Sequence, residues 1–148
     1  MTDPEKLYKL IWLSRPLMQS AEAAVEHGLD GIGLTVRGRA VLEVLLTEDE
    51  ATVPDIAQKL EIKRQYVQLM VNETLTDGLT LKRENPRHKR SALIALTQKG
   101  RALIEDVVRR EMVLVRSVGV GLDTADIKTA LKVITTLTEN LKKAIGNG

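Results

Sequence analysis

At 148 residues the chain is the length of one domain and long enough to bury a core, with an ordinary 43% hydrophobic and 28% charged residues. It holds no cysteine, which excludes disulfides, thiol redox sensing and most zinc sites, and its two histidines, His27 and His88, are too few and too far apart for a metal motif. No apolar run approaches the roughly 20 residues of a membrane helix and no signal-peptide layout opens the chain, so a cytoplasmic protein with no membrane association is expected.

A first helix is expected from Asp3, as N-cap, with Pro4 pre-set for its first position. Leu7, Leu10, Ile11, Leu17, Met18, Ala21, Ala24 and Val25 follow helical spacing, and Pro16 is expected to kink the helix because it frees the Trp12 carbonyl. The glycine-rich segment His27 to Gly33 reads as a turn. A second helix starts near Thr35 and buries Val41, Val44 and Leu45.

An acidic linker, Thr47 to Ala51, leads to Thr52, which pairs with Asp55 as a capping box. The third helix turns Ile56, Ala57 and Leu60 inward, and Glu61 and Ile62 make a tight turn. The fourth carries the stripe Val67, Met70 and Val71 and stops at Gly78. Two strand-like runs, TLKR and SALIAL, flank a basic loop, ENPRHKR.

Thr97 caps a fifth helix carrying Leu103, Ile104, Val107, Val108, Leu114 and Val115; Gly119 and Gly121 end it. Asp123 and Asp126 cap a sixth, whose Ile127, Ala130, Leu131, Ile134, Leu137, Leu141 and Ile145 form one seam. The fold class is therefore mainly α with a small β-wing. Residues 34–101 form a winged helix-turn-helix, 1–33 and 102–148 are dimerisation helices, and the whole chain, 1–148, is one domain. The terminal helices carry more apolar surface than so small a unit can cover, which favours a two-fold homodimer over a monomer with a helical cap.

Charge follows this layout. Residues 1–62 hold 6 Lys/Arg against 11 Asp/Glu, residues 63–101 hold 9 against 3, and residues 102–148 hold 7 against 6. The excess of cations lies on the fourth helix and the hairpin, as expected of a surface that meets a polyanion; the plainer alternative is a solvated charge run. In a helix-turn-helix the fourth helix enters the DNA major groove, and Lys63, Arg64, Gln65, Tyr66 and Gln68 are its candidate contacts, with Leu69 and Asn72 either base contacts or ordinary surface. Arg83, Arg87, His88, Lys89 and Arg90 are the candidates in the wing, where Lys82 adds a further cation. His88 is either a solvated residue or a pH-dependent phosphate contact.

The first helix also offers a candidate small-molecule site. Tyr8, Trp12, Arg15 and Gln19 fall on one face, Arg37 and Arg39 add charge near the second helix's N-terminus, and Gly38 leaves room beside them. Trp12 would stack on an aromatic ring and Arg15 would pair with a carboxylate, so the effector class is an aromatic acid or its thioester. Dimer packing for Trp12 and plain surface charge for the arginines are the favoured reading, with the effector site the sharper one set against it.

Enzymatic activity is not expected. The chain has no Walker loop, no HExxH and no dinucleotide glycine fingerprint, and no cofactor is called for. The rival is a winged-helix protein-interaction module without operator-specific DNA binding. RNA is a weaker candidate because aromatics are only 2% of residues.

Over Leu34 to Gly100, and more loosely throughout, the chain resembles the MarR family of winged helix-turn-helix regulators. The residues that carry the likeness are IAQKLEI, TDGL (Thr76 to Leu79), NPRHKR (Asn85 to Arg90) and ALIALTQKG (Ala92 to Gly100). The resemblance implies an obligate homodimer on a pseudo-palindromic operator, repression, and release by a small aromatic or anionic effector. It departs from the family pattern at His88, usually Asp; at Glu61, usually Gly; at Thr74, usually Leu; and at Gly38–Arg39, where an aromatic is common.

Overall fold

The computed structural model describes residues 1–146. Six helices and three short strands follow one another as α1 (Asp3–Gly28), α2 (Val36–Glu48), β1 (Glu50–Ala51), α3 (Val53–Leu60), α4 (Arg64–Thr76), β2 (Thr80–Arg83), β3 (Leu93–Leu96), α5 (Gln98–Val118) and α6 (Thr124–Gly146). The chain divides into two compact units, Met1–Met112 and Val113–Gly148.

In the first unit, α1 is capped by Thr2 rather than Asp3. The Thr2 hydroxyl accepts from the Glu5 amide and the Glu5 carboxylate accepts from the Thr2 amide, placing Pro4 inside the first turn. The helix runs unbroken through Pro16, which removes one backbone donor without ending it. None of its residues is buried, while Leu29 and Leu34, at either end of the following turn, are.

The core lies among α2, α3, α4, the sheet and the first turns of α5. Leu42, Leu45, Ile56, Val67, Val71, Ile94 and Ile104 are fully enclosed there, so the stripes read from the sequence for α2, α3 and α4 point where expected. Thr52 caps α3 through the expected reciprocal box with Asp55. Glu61, in the left-handed region at φ 55°, turns the chain from α3 into α4 where a glycine would be strain-free. The end of α4 is a Schellman motif: Leu79 N–H donates to the Thr74 carbonyl at 2.9 Å and Gly78 N–H to Leu75 at 3.1 Å, with Gly78 at φ 73°.

Part of the acidic linker is a strand. Glu50 and Ala51 pair antiparallel with Ala95 and Ile94, giving a three-stranded sheet in the order β1-β3-β2, with Thr80 opposite Leu96 and Arg83 opposite Leu93. Each of the three carboxylates here holds a cation from another element: Glu48 with Lys59 at 2.9 Å, Asp49 with Arg101 at 3.7 Å and Glu50 with Arg83 at 3.4 Å.

Thr74 occupies a core position with 1% of its surface exposed. Its hydroxyl donates to the Val71 carbonyl at 2.7 Å and lies 2.9 Å from the Thr80 hydroxyl, so the polar atom is fully paired. Gly38 opens no space: a Cβ there would lie 3.0 Å from Leu34 Cδ1 and 3.2 Å from the capping hydroxyl of Thr35.

The second unit holds the last turns of α5 and all of α6. Val115 accepts from the Gly119 amide at 2.9 Å, Gly121 takes φ 89°, and α6 then begins with the Asp123 carboxylate 3.5 Å from the Ala125 amide. No residue of α6 is buried; Leu131, Ile134 and Leu141 are each about half exposed or more.

Candidate nucleic-acid interface

Burial of Val67, Met70, Val71 and Thr74 fixes the rotation of α4 about its axis. Arg64, Gln65, Tyr66, Gln68, Leu69 and Asn72 are consequently exposed. Lys63 stands at the N-cap without a side-chain cap bond. Gln68 Nε2 donates to Asn72 Oδ1 at 3.0 Å along the outer face.

The wing is built around Asn85, 9% exposed. Its Nδ2 donates to the Ser91 carbonyl at 3.0 Å and its Oδ1 accepts from the Arg87 amide at 3.1 Å. The backbone adds two turns, His88 N–H to Asn85 and Ser91 N–H to His88, each at 3.2 Å. This side chain therefore ties both ends of a loop whose outer residues, Arg87, His88, Lys89 and Arg90, are all exposed. In the sequence Asn85 stands out only as the start of the NPRHKR run; an asparagine before a proline is a turn-initiating pair, and that is the signal for its part here.

Between α4 and the wing lies an open groove of about 610 Å³, floored by Val53 and Pro54 of α3 and by Ile94. Arg64, Gln65, Gln68 and Arg90 line it, together with Lys82, and no carboxylate is among its lining residues. Four of the ten expected contacts are thus gathered at one place. Lys63, at the N-cap of α4, and Tyr66, in its first turn, lie outside that lining, and Arg87, His88 and Lys89 stand on the wing loop. Arg83 is held by Glu50 at the base of the hairpin.

The effector candidates divide into two groups. Tyr8 and Trp12 meet edge to face with centroids 6.2 Å apart, and the Arg15 guanidinium carbon sits 5.3 Å from the Trp12 ring centroid. All three are exposed, as is Gln19. Arg37 instead pairs with Glu73 at 3.1 Å. Arg39 donates Nε to Glu111 at 2.6 Å, reaches that carboxylate again through Nη2, and meets Glu43 at 2.5 Å. Its pKa is raised, chiefly by the Glu111 hydrogen bond acting against desolvation and with help from Glu43. Among the described residues no hydrogen bond, ion pair or ring contact joins Arg37 or Arg39 to Tyr8, Trp12 or Gln19.

Among the described residues no group of three or more His, Cys, Asp or Glu side chains is placed to hold a metal ion, and no helix is long and apolar enough to cross a membrane.

No family model matches the chain. An uncharacterized protein of Mycobacterium tuberculosis is 31% identical over 84 residues, 57% of this chain and 59% of that protein, so the chain spans under two thirds of the curated relatives it matches. The crystal structure of a MarR family transcription regulator is 34% identical, with TM-score 0.85 over 94% of this chain and 92% of that one. Two more distant structures share the fold. One is the DNA complex of Staphylococcus aureus MepR, at 18% identity, TM-score 0.79 and 88% and 96% coverage of this chain and that one. The other is Bordetella bronchiseptica BpsR, whose DNA binding is described as regulated by 6-hydroxynicotinic acid, at 22% identity, TM-score 0.75 and 88% and 98% coverage. A relative about one third identical, matched over nearly its whole length at TM-score 0.85, settles the family. This chain belongs to the MarR family of transcription regulators, which are not enzymes.

Proposed function

We propose that the protein is a sequence-specific, double-stranded-DNA-binding repressor that acts as a homodimer on a pseudo-palindromic operator. The observation that carries this reading is the groove that gathers Arg64, Gln65, Gln68, Lys82 and Arg90 without a carboxylate. Arginine and amide side chains on an outward helix face carry the donors and acceptors that match guanine and adenine edges, and flexible cations beside them suit phosphates. Lys63 and Tyr66 extend that surface along α4, and Arg83, Arg87, His88 and Lys89 extend it along the wing. The MepR structure supports the reading, since a protein of this fold is there bound to DNA.

The homodimer reading is supported by the apolar faces of the terminal helices. Leu13, Leu17 and Met18 on α1 and Leu131 and Ile134 on α6 are 50–64% exposed in the single chain, and water is a poor environment for a continuous seam of this kind. Two subunits would address half-sites about one helical turn, ~34 Å, apart.

The effector we infer is an aromatic acid or its thioester, bound at Tyr8, Trp12, Arg15 and Gln19. Arg15 lies over one face of the Trp12 ring and brings a cation to it, and BpsR offers a precedent of similar fold. The engagement of Arg37 and Arg39 with carboxylates argues for a structural part for those two. A gel shift with the DNA flanking the protein's own gene, titrated with salt, tests the reading. Retention at low salt with steep loss at higher salt is expected, and no retention in dilute buffer would refute it.

A further inference from the structure

A leucine stands at the centre of the outward face of α4. The buried positions 67, 70, 71 and 74 set the opposite direction along Gln65, Gln68, Leu69 and Asn72, and Leu69 is 61% exposed there. A single exposed leucine is commonplace. Its surroundings are not: Gln65 lies one turn before it and Asn72 one turn after, and Gln65 and Gln68 line a groove whose charged residues are all cations. The Gln68–Asn72 hydrogen bond couples the two amides on its flank. It fixes their orientation and leaves one amide's carbonyl oxygen and the other's nitrogen for an outside partner.

The occupant of such a face has to satisfy three demands at once. It must be anionic to suit Arg64, Lys82 and Arg90, it must offer paired donors and acceptors to the amides, and it must present an apolar group to Leu69. An apolar protein segment would meet only the last of these. A duplex meets all three, because the major-groove edge of an A·T pair carries the adenine N7 and N6 groups that amides match and the thymine 5-methyl. We propose that Leu69 reads the 5-methyl of one thymine in each half-site, with the Gln68–Asn72 pair set against the adjoining adenine edge. The inference rests on the DNA-binding function proposed above and adds to it the base identity selected at one position.

The test begins with the duplex that the wild-type protein selects from a random pool. Each thymine of that duplex is then replaced in turn by deoxyuridine, which removes the methyl group and leaves every hydrogen bond in place. At one thymine per half-site, affinity should fall about fourfold, the amount expected for one buried methyl-sized group. Leu69→Ala and Leu69→Ser should bind the thymine and deoxyuridine duplexes equally at that position while keeping the wild-type response at the others. Because Leu69 lies outside the core, both variants should melt within a few degrees of wild type. If no deoxyuridine duplex binds more weakly than its parent, or if both variants retain the penalty, the inference is overturned while the DNA-binding function stands. If no sequence is selected at all, the proposed function falls and this inference with it.

Discussion

Gly100 lies so close under the carbonyl of Leu79 that a Cβ at position 100 would sit 1.9 Å from that oxygen. This close approach joins the first turn of α5 to the end of α4 at the start of the hairpin. Thr97 completes it: its amide donates to the Leu79 carbonyl at 3.1 Å, and its hydroxyl donates to the Gly78 carbonyl at 2.7 Å while accepting from the Gly100 amide at 3.0 Å. The Leu-Thr-x-x-Gly sequence, Leu96 to Gly100, is thus a clamp that sets the wing against α4. Gly100→Ala should lower stability by roughly 1–3 kcal/mol or more, because the obstructing atom is backbone and cannot turn aside. Urea unfolding followed by circular dichroism measures this; an unchanged midpoint would mean the clamp is loose.

The Thr74–Thr80 pair predicts a non-additive result. Thr74→Val alone leaves the Thr80 hydroxyl without its buried partner and should cost about 1–3 kcal/mol. The double variant Thr74→Val, Thr80→Val removes both polar atoms and should recover much of that loss. Chemical unfolding of the four proteins in the cycle decides it, and additive losses would mean that the hydroxyls are not coupled.

Arg39 and Glu111 are each about one fifth exposed, and together with Glu43 they join α2 to α5. Arg39→Met should cost roughly 1–2 kcal/mol, and Arg39→Lys should not restore it, since lysine lacks the two-pronged geometry. The raised Arg39 pKa means that the folded state holds this proton more tightly than the unfolded chain. Its contribution is fully present below the ordinary guanidinium pKa and is lost only above it. The difference in melting temperature between Arg39→Met and wild type should therefore stay constant from pH 6 to 9. A difference that shrinks across that range would show that another group controls the pair.

Within the groove, Arg64 and Arg90 should behave differently. Arg64→Ala should cost about 1–3 kcal/mol on the selected operator and relax preference at one base position. Arg90→Ala should weaken binding to all sequences alike and reduce the slope of log K against log salt by about 1 for each phosphate that Arg90 neutralises. Competition binding with specific and random duplexes separates the two. Equal effects would remove the assignment of base reading to α4 and phosphate binding to the wing.

For the effector, titration with aromatic acids should quench Trp12 fluorescence and release DNA in parallel. Arg15→Ala should weaken that response while leaving operator affinity within a fewfold of wild type. Absence of both quench and release across the class would remove Tyr8, Trp12, Arg15 and Gln19 from consideration.

The elements were legible in the sequence because their signals are local. Thr52 with Asp55, Gly78, Thr97 and the 67-70-71 stripe each fix a boundary or a buried face through neighbours a few residues away. What the sequence hid depends on partners distant in the chain. The strand at Glu50 and Ala51 is too short to show a period, and only Ile94 and Ala95 define it. Arg37 and Arg39 looked like free cations because Glu73 and Glu111 lie 36 and 72 residues away. Gly38 suggested vacant space, but Leu34 and Thr35 close over it. The cap of α1 falls one residue before Asp3, because Thr2 and Asp3 are both good N-caps and only Thr2 stands three residues from Glu5.

The most direct measurement is the operator dissociation constant of the purified protein as a function of salt. With three or four phosphates held by each of two subunits, affinity should fall on the order of a thousandfold between 50 and 200 mM. A flat salt response, or no retention of duplex even in dilute buffer, would contradict the account.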